Sequence, residues 1–131
     1  MGIVHPMECT TRTATGSVEE TVERLKELIT ARGLTLFAVI EHDVAAAAVG
    51  LKMRPSKVVI FGNPKVGAPI MIAAPLAALD LPLRLLVWQD ASGKTKVSHH
   101  LVGELKRRHG LTEEQGAALD VLDDLAAAVA G

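Results

Sequence analysis

The chain reads as a single small α+β domain, an antiparallel sheet backed by helices. Three observations predict this class. Two β-rich apolar runs, Lys57–Phe61 and Leu83–Trp88, are each bounded by turn residues. A turn at Asp90–Gly93 folds the second run back on the segment Lys94–Ser98. Two amphipathic helices with clear caps flank this strand-rich middle.

The elements follow in order. Cys9–Gly16 is rich in Thr and ends in Gly, which suits a strand. Ser17 can cap a helix, with Glu20 completing a capping box, and Gly33 stands where a left-handed terminator is needed. Val18, Val22, Leu25 and Ile29 form the apolar stripe of that helix, widened by Leu28. Thr35–Ile40 is a second strand, and the Ala-rich Asp43–Val49 before Gly50 is a short helix. Lys57–Phe61 is continuously apolar after its first residue, which predicts burial on both faces and a central place in the sheet. Gly62–Gly67 has the composition of a loop, and Pro69 fits the first turn of the helix that follows and ends at Pro75.

After the hairpin, Leu101–His109 is helical and stopped by Gly110. Thr112 and Gln115 form another capping box, and Ala118, Leu122, Leu125 and Val129 give the last helix its stripe. The order is β-α-β-(short α)-β-(short α)-β-β-α-α. A doubly wound parallel sheet is the alternative, and its crossover helices should be longer than those after residues 43 and 69. Met53 and Met71 are expected as core fillers.

Composition excludes several function classes. The 131 residues fit one domain. Lys and Arg total 14 against 15 Asp and Glu, and the aromatic residues are only Phe37, Phe61 and Trp88. Phosphate tracking needs a positive excess and base stacking needs aromatic platforms, so nucleic acid is not an expected partner. A lone Cys9 forms no internal disulfide, and Pro69, Pro75, Asp80 and Pro82 break the apolar stretches well short of a membrane span. No leader-like segment begins the chain, and Pro6 breaks the myristoylation pattern that Gly2 would open. A cytoplasmic protein without membrane insertion is expected.

Several segments resemble a known family. Phe61–Pro69 (Phe-Gly-Asn-Pro-Lys-Val-Gly-Ala-Pro) precedes Met71 and Ala74-Pro75, and Asp80–Asp90 precedes Gly93-Lys94. Upstream stand the helix Glu20–Gly33 and the pair His42-Asp43. Together these are similar to the DUF302 family over roughly residues 14–111, leaving 112–131 as a C-terminal helical extension of one domain, 1–131. The resemblance implies a β-α-β4-α arrangement similar to the TATA-binding-protein-like fold, and a homodimer. It implies no activity. Gln89 replaces an acidic residue expected between Trp88 and Asp90, and Ala68 stands where Thr is common.

Five residues are candidate ligand contacts: His42, Asn63, Lys65, Arg84 and Trp88. Gly62 and Gly67 have the spacing of a phosphate loop, but Ala68-Pro69 replaces its Lys-Ser/Thr. Helix-start amides with Lys65 leave a weaker anion site, and the structural alternative is a tight turn in which Asn63 bonds its own backbone. His42 can titrate near neutrality, while Asp43 can instead cap the short helix. Arg84 and Trp88 share one face of their strand, as a dimer surface, a pocket wall, or a half-exposed face beneath the C-terminal helix.

His5, Cys9, His99, His100 and His109 lack metal-site spacing, so no metal is expected, and solvated histidines are the ordinary reading. No cofactor can be named. The expected function is a homodimeric small-ligand-binding or interaction protein without established catalysis, its ligand a small anion. The alternatives are an enzyme with His42 as general acid–base and Lys65 holding an anionic group, and an interaction module whose tail, 112–131, packs on a partner.

Overall fold

The computed structural model describes residues 8–131. His5, Gly2 and Pro6 lie outside them. Five antiparallel strands, β1 (Cys9–Ala14), β2 (Thr35–Glu41), β3 (Ser56–Gly62), β4 (Leu83–Gln89) and β5 (Thr95–His100), form one sheet in the order β1-β5-β4-β3-β2. The helices are α1 (Val18–Ala31), α2 (His42–Ala48), α3 (Pro64–Ala73), α4 (Val102–Arg108), α5 (Glu113–Ala117) and α6 (Val121–Val129), with 3-10 segments at Pro75–Leu79 and Ala118–Asp120. The α+β class and the order of strands and helices as far as α4 match the expectation, whereas the expected single last helix is split into α5, a 3-10 segment and α6. No parallel strand pair is present among the described residues.

Local chemistry sets the ends of α1. The Ser17 hydroxyl accepts the Glu20 amide at 3.0 Å, one half of the expected box. At the other end Gly33 adopts φ +70°, and the Leu34 amide returns to the Ile29 carbonyl. The Thr112–Gln115 box closes in both directions. In the hairpin, the Asp90 carboxylate accepts the amides of Ser92 and Lys94, and Gly93 supplies the left-handed turn residue.

Strand alternation divides the sheet into a covered and an uncovered face. Val59, Phe61, Leu85, Val87 and Val97 point to the covered face and are fully buried against Leu25 and Ile29 of α1 and Leu122, Leu125 and Val129 of α6. Alternate residues of the same strands, Val58, Ile60, Leu86 and Trp88, stay half-exposed. Thus β3 is not buried on both faces, and it lies second from the edge while β4 holds the centre. Its continuous apolar run reflects an uncovered face that is itself apolar.

Further departures from the expectation concern helices and methionines. Helix α3 starts at Pro64, so the supposed Gly62–Gly67 loop is mostly its first turn, and Pro69 sits inside the helix. Pro64 takes the position where a missing N–H costs nothing, with Asn63 as cap. The tail does not wait for a partner, because α6 buries its stripe in the chain's own core. Met53 is exposed and Met71 half-buried, so neither fills the core.

Two ion clusters fasten peripheral segments. Lys57, almost wholly buried, holds Glu41 at 2.8 Å and Asp43 at 3.3 Å, tying α2 to β3. Burial works against the Lys57 charge, but its hydrogen bonds to the two carboxylates outweigh that and raise its pKa. Burial likewise opposes the Asp43 charge, and donation from the Ser56 and Asp43 amides and from Lys57 brings its pKa below the usual value. Asp80, at the end of the 3-10 segment, accepts from Arg108 at 3.1 Å through both oxygens and from His109 at 2.6 Å. Burial pushes the Asp80 carboxyl up, and the bonds from His109 and Arg108 bring it below its usual 3.8.

A carboxyl with a lowered folded pKa stabilises the fold above its unfolded value and loses that contribution as pH falls through the folded one. Lys57, raised, contributes below its usual 10.5 and loses that contribution as pH rises through its higher folded value. Stability measured by urea unfolding should therefore fall as pH drops below about 3.8, the ordinary value of Asp43 and Asp80. Asp80→Asn should lose about 1–3 kcal/mol at neutral pH and flatten the acid limb. A chain ending at Gly110 should lose cooperative unfolding, because each large apolar side chain of α6 carries about 1.5–3 kcal/mol of burial in a domain whose total stability is about 5–15 kcal/mol.

Candidate functional site

Helix α3 is apolar almost all round, the composition of a helix covered on every side. Only Ile70 is buried, while Ile72, three residues before the 3-10 segment, is 82% exposed. The inner side of α3 instead roofs a cavity of about 270 Å³ at the end of β3. Val66, Ile70 and Met71 form the roof, Leu34 and Phe37 one wall, and Leu119 and Val121 another. Gly62 brings the walls together, since a Cβ there would already touch the Phe37 ring at 3.4 Å. Asn63 is the one polar side chain in the lining, and its Oδ1 accepts the Lys65 amide at 3.1 Å.

The five sequence candidates do not form one site. Asn63 borders the cavity, while the Lys65 side chain is exposed and is not among its walls. His42 opens α2 at the other end of the sheet, next to Glu41, which pairs with Lys57. From Lys57 to Gly62 the strand runs about 17 Å, so His42 and Lys65 stand at opposite ends of β3. The enzyme arrangement that joined them is therefore corrected by the geometry. An apolar lining likewise removes the reason to expect an anion beside Asn63.

Arg84 and Trp88 do share a face, the uncovered one. The C-terminal helix lies on the other side and does not cover Trp88. Trp88 donates from Nε1 to the Ser98 hydroxyl at 2.9 Å, and that hydroxyl bonds Thr11 at 2.8 Å, so the ring is held in place. His99 and His100 diverge, as adjacent strand residues must. His100 faces out. His99 is buried and donates from Nδ1 to the His100 carbonyl at 2.8 Å, so it is not a solvated histidine. Among the described residues no three His, Cys, Asp or Glu side chains converge as a metal site would require.

Sequence reasoning missed the cavity walls Phe37, Leu119 and Val121. They come from two segments more than eighty residues apart, β2 and the junction before α6, and only the all-round apolar character of α3 signalled something beneath it.

Comparison with known proteins fits this architecture. The structure of an uncharacterized conserved protein DUF302 from Bacillus stearothermophilus superposes with a TM-score of 0.77, covering 95% of this chain and 97% of that one at 23% identity. At that identity the likeness concerns the fold. Two curated relatives, "Fluoride-specific ion channel FluC 1" of Brucella suis biovar 1 (strain 1330) and of Brucella abortus biovar 1 (strain 9-941), are each 34% identical over 106 residues. Those residues are 81% of this chain but 42% and 39% of the relatives, so the chain spans about two fifths of the proteins it matches. No helix among the described residues is long and apolar enough to cross a membrane. The pattern of the domain of unknown function DUF302 matches residues 9–130, α6 included, and the chain belongs to the DUF302 family.

Proposed function

We propose that this chain is a small-ligand-binding protein that works as a homodimer, and that its ligand is an apolar molecule held beneath α3. The observation that carries this reading is the cavity: apolar walls from four segments, one polar side chain at Asn63, and a volume near the small end of ligand pockets. Burial of an aliphatic or aromatic body supplies the affinity, and the Asn63 amide has capacity left to orient one polar atom.

The dimer reading rests on β2. This edge strand carries exposed Leu36, Phe37 and Ile40, and no Lys or Pro to discourage pairing. A bulge between Leu36 and Ala38 disturbs its first half, which leaves Ala38–Glu41 as the regular edge for a second copy. A reducing, cytoplasmic setting suits the single exposed Cys9. The channel activity in the Brucella names we assign to the larger part of those proteins outside the match; a domain like this one would serve there as a ligand-binding accessory.

Filling the cavity tests the ligand. Octanol should raise the thermal midpoint of the wild-type chain, and Gly67→Phe, which projects a ring from the roof, should abolish that rise while keeping the fold. Sodium fluoride should produce no rise. A rise with octanol that persists in Gly67→Phe would remove the cavity from the account. For the dimer, light scattering after size-exclusion chromatography should give twice the chain mass at micromolar concentration, falling to one chain mass in Ile40→Lys. A wild-type monomer would overturn that part.

A further inference from the structure

A second site lies on the uncovered face of the sheet, away from α3. Alternation assigns every strand residue to one face or the other, and none of those on the uncovered face is Asp or Glu, although the chain has 15 such residues. Glu41, the strand carboxylate, points to the covered side with Lys57. The cations Arg84 and Lys96 stand on the uncovered face, around an apolar centre of Val58, Ile60, Leu86 and Trp88. A chain of net charge −1 has thus gathered positive charge and apolar surface on one side.

The segment after α2 turns part of this face into a cleft. The Gln89 amide donates to the Pro55 carbonyl at 3.0 Å and holds residues 52–55 beside β4. The resulting cleft has a volume of about 840 Å³, with Leu86 and Trp88 as its floor, Met53 and Pro55 as its wall, and Lys52 and Arg54 on its rim. Lys96 is engaged by the Thr13 hydroxyl at 2.8 Å and approaches Asp90 at 4.0 Å. Lys52, Arg54 and Arg84 make no ion pair or side-chain hydrogen bond with any described residue. A fixed aromatic floor beside uncommitted cations selects a body that is apolar and a head that is negative.

We propose that this cleft binds a small amphipathic anion, with a carboxylate or phosphate head at Lys52 and Arg54 and an aliphatic or aromatic body on Leu86, Trp88 and Met53. The site is separate from the cavity beneath α3 and does not depend on it. A carboxylate ties up one or both rim cations in charge-assisted hydrogen bonds, while the body covers the half-exposed Leu86 and Trp88. Because the rim is open to solvent, added salt weakens binding.

Trp88 reports on this cleft alone, since the chain has one Trp and no Tyr. Its emission should change saturably when octanoate or octyl phosphate is added to the full-length protein. Octanol and octylammonium at the same concentrations should leave it unchanged. The double variant Lys52→Glu/Arg54→Glu should bind octanoate about tenfold or more weakly, the loss expected for charge-assisted contacts. Both substitutions fall on exposed side chains, and an unchanged circular dichroism spectrum confirms the fold. The Trp88 response should persist in Gly67→Phe, which separates this site from the cavity. Equal responses to the three charge types, an undiminished response in the double variant, loss of the response in Gly67→Phe, or no octanoate response up to millimolar concentration would each overturn the proposal.

Discussion

The contact between the α1/α6 pair and one face of the sheet governs everything else in this molecule. Leu25, Ile29, Leu122, Leu125 and Val129 meet Val59, Leu85, Val87 and Val97 with no solvent between them. Each side chain excludes water only because the facing layer does the same, so the strands cannot slip by one residue without turning Val59 and Leu85 outward and Val58 and Leu86 inward. The first and last long helices lie side by side in that layer and close the same core. The family match accordingly runs through α6 and does not stop before it.

One-sided covering has two consequences for function. At the end of β3 a gap remains that α6 borders only through its first residue, Val121, and α3 roofs it; α3 has few other obligations and is fastened downstream by Asp80 to Arg108 and His109. On the other side the sheet stays open. Its strands still carry Ile60, Leu86 and Trp88 where a solvated face would ordinarily carry polar residues. Apolar surface kept bare against the alternation rule is a cost to solubility, and its pairing with Arg84, Lys52 and Arg54 gives that cost a chemical use. The cleft is thus a product of a two-layer fold that lacks a third layer, and the candidate cavity is a gap left at the edge of the layer that is covered.

Much of the fold was legible in the sequence because its signals are local. The Ser17 cap, the Gly33 terminator, the Asp90–Gly93 turn and the Thr112–Gln115 box each depend on residues within a few positions of one another. Strand order was less legible. The apolar run Lys57–Phe61 looks the same whether a second layer covers it or leaves it bare, and only the partners Leu122 and Leu125, more than sixty residues away, decide. Pro64 and Pro69 misled for a related reason. Either can begin a helix, and the choice was made by Asn63, whose side chain caps the earlier start. The site was the least legible part. Its walls are ordinary Phe, Leu and Val residues brought together from around β2, α3, the start of β4 and the junction before α6, whereas the conspicuous polar residues His42 and Lys65 stand at opposite ends of β3.

The central claim is that the gap beneath α3 is a ligand cavity and not a packing defect. Methyl NMR of the full-length protein titrated with octanol tests it most directly, because the walls are rich in Val, Leu, Ile and Met. The account predicts shifts concentrated on Val66, Ile70, Met71, Leu119 and Val121, with Leu25, Val59 and Leu85 in the closed core unmoved. Shifts spread evenly over the apolar residues, or absent from the cavity walls, would contradict it.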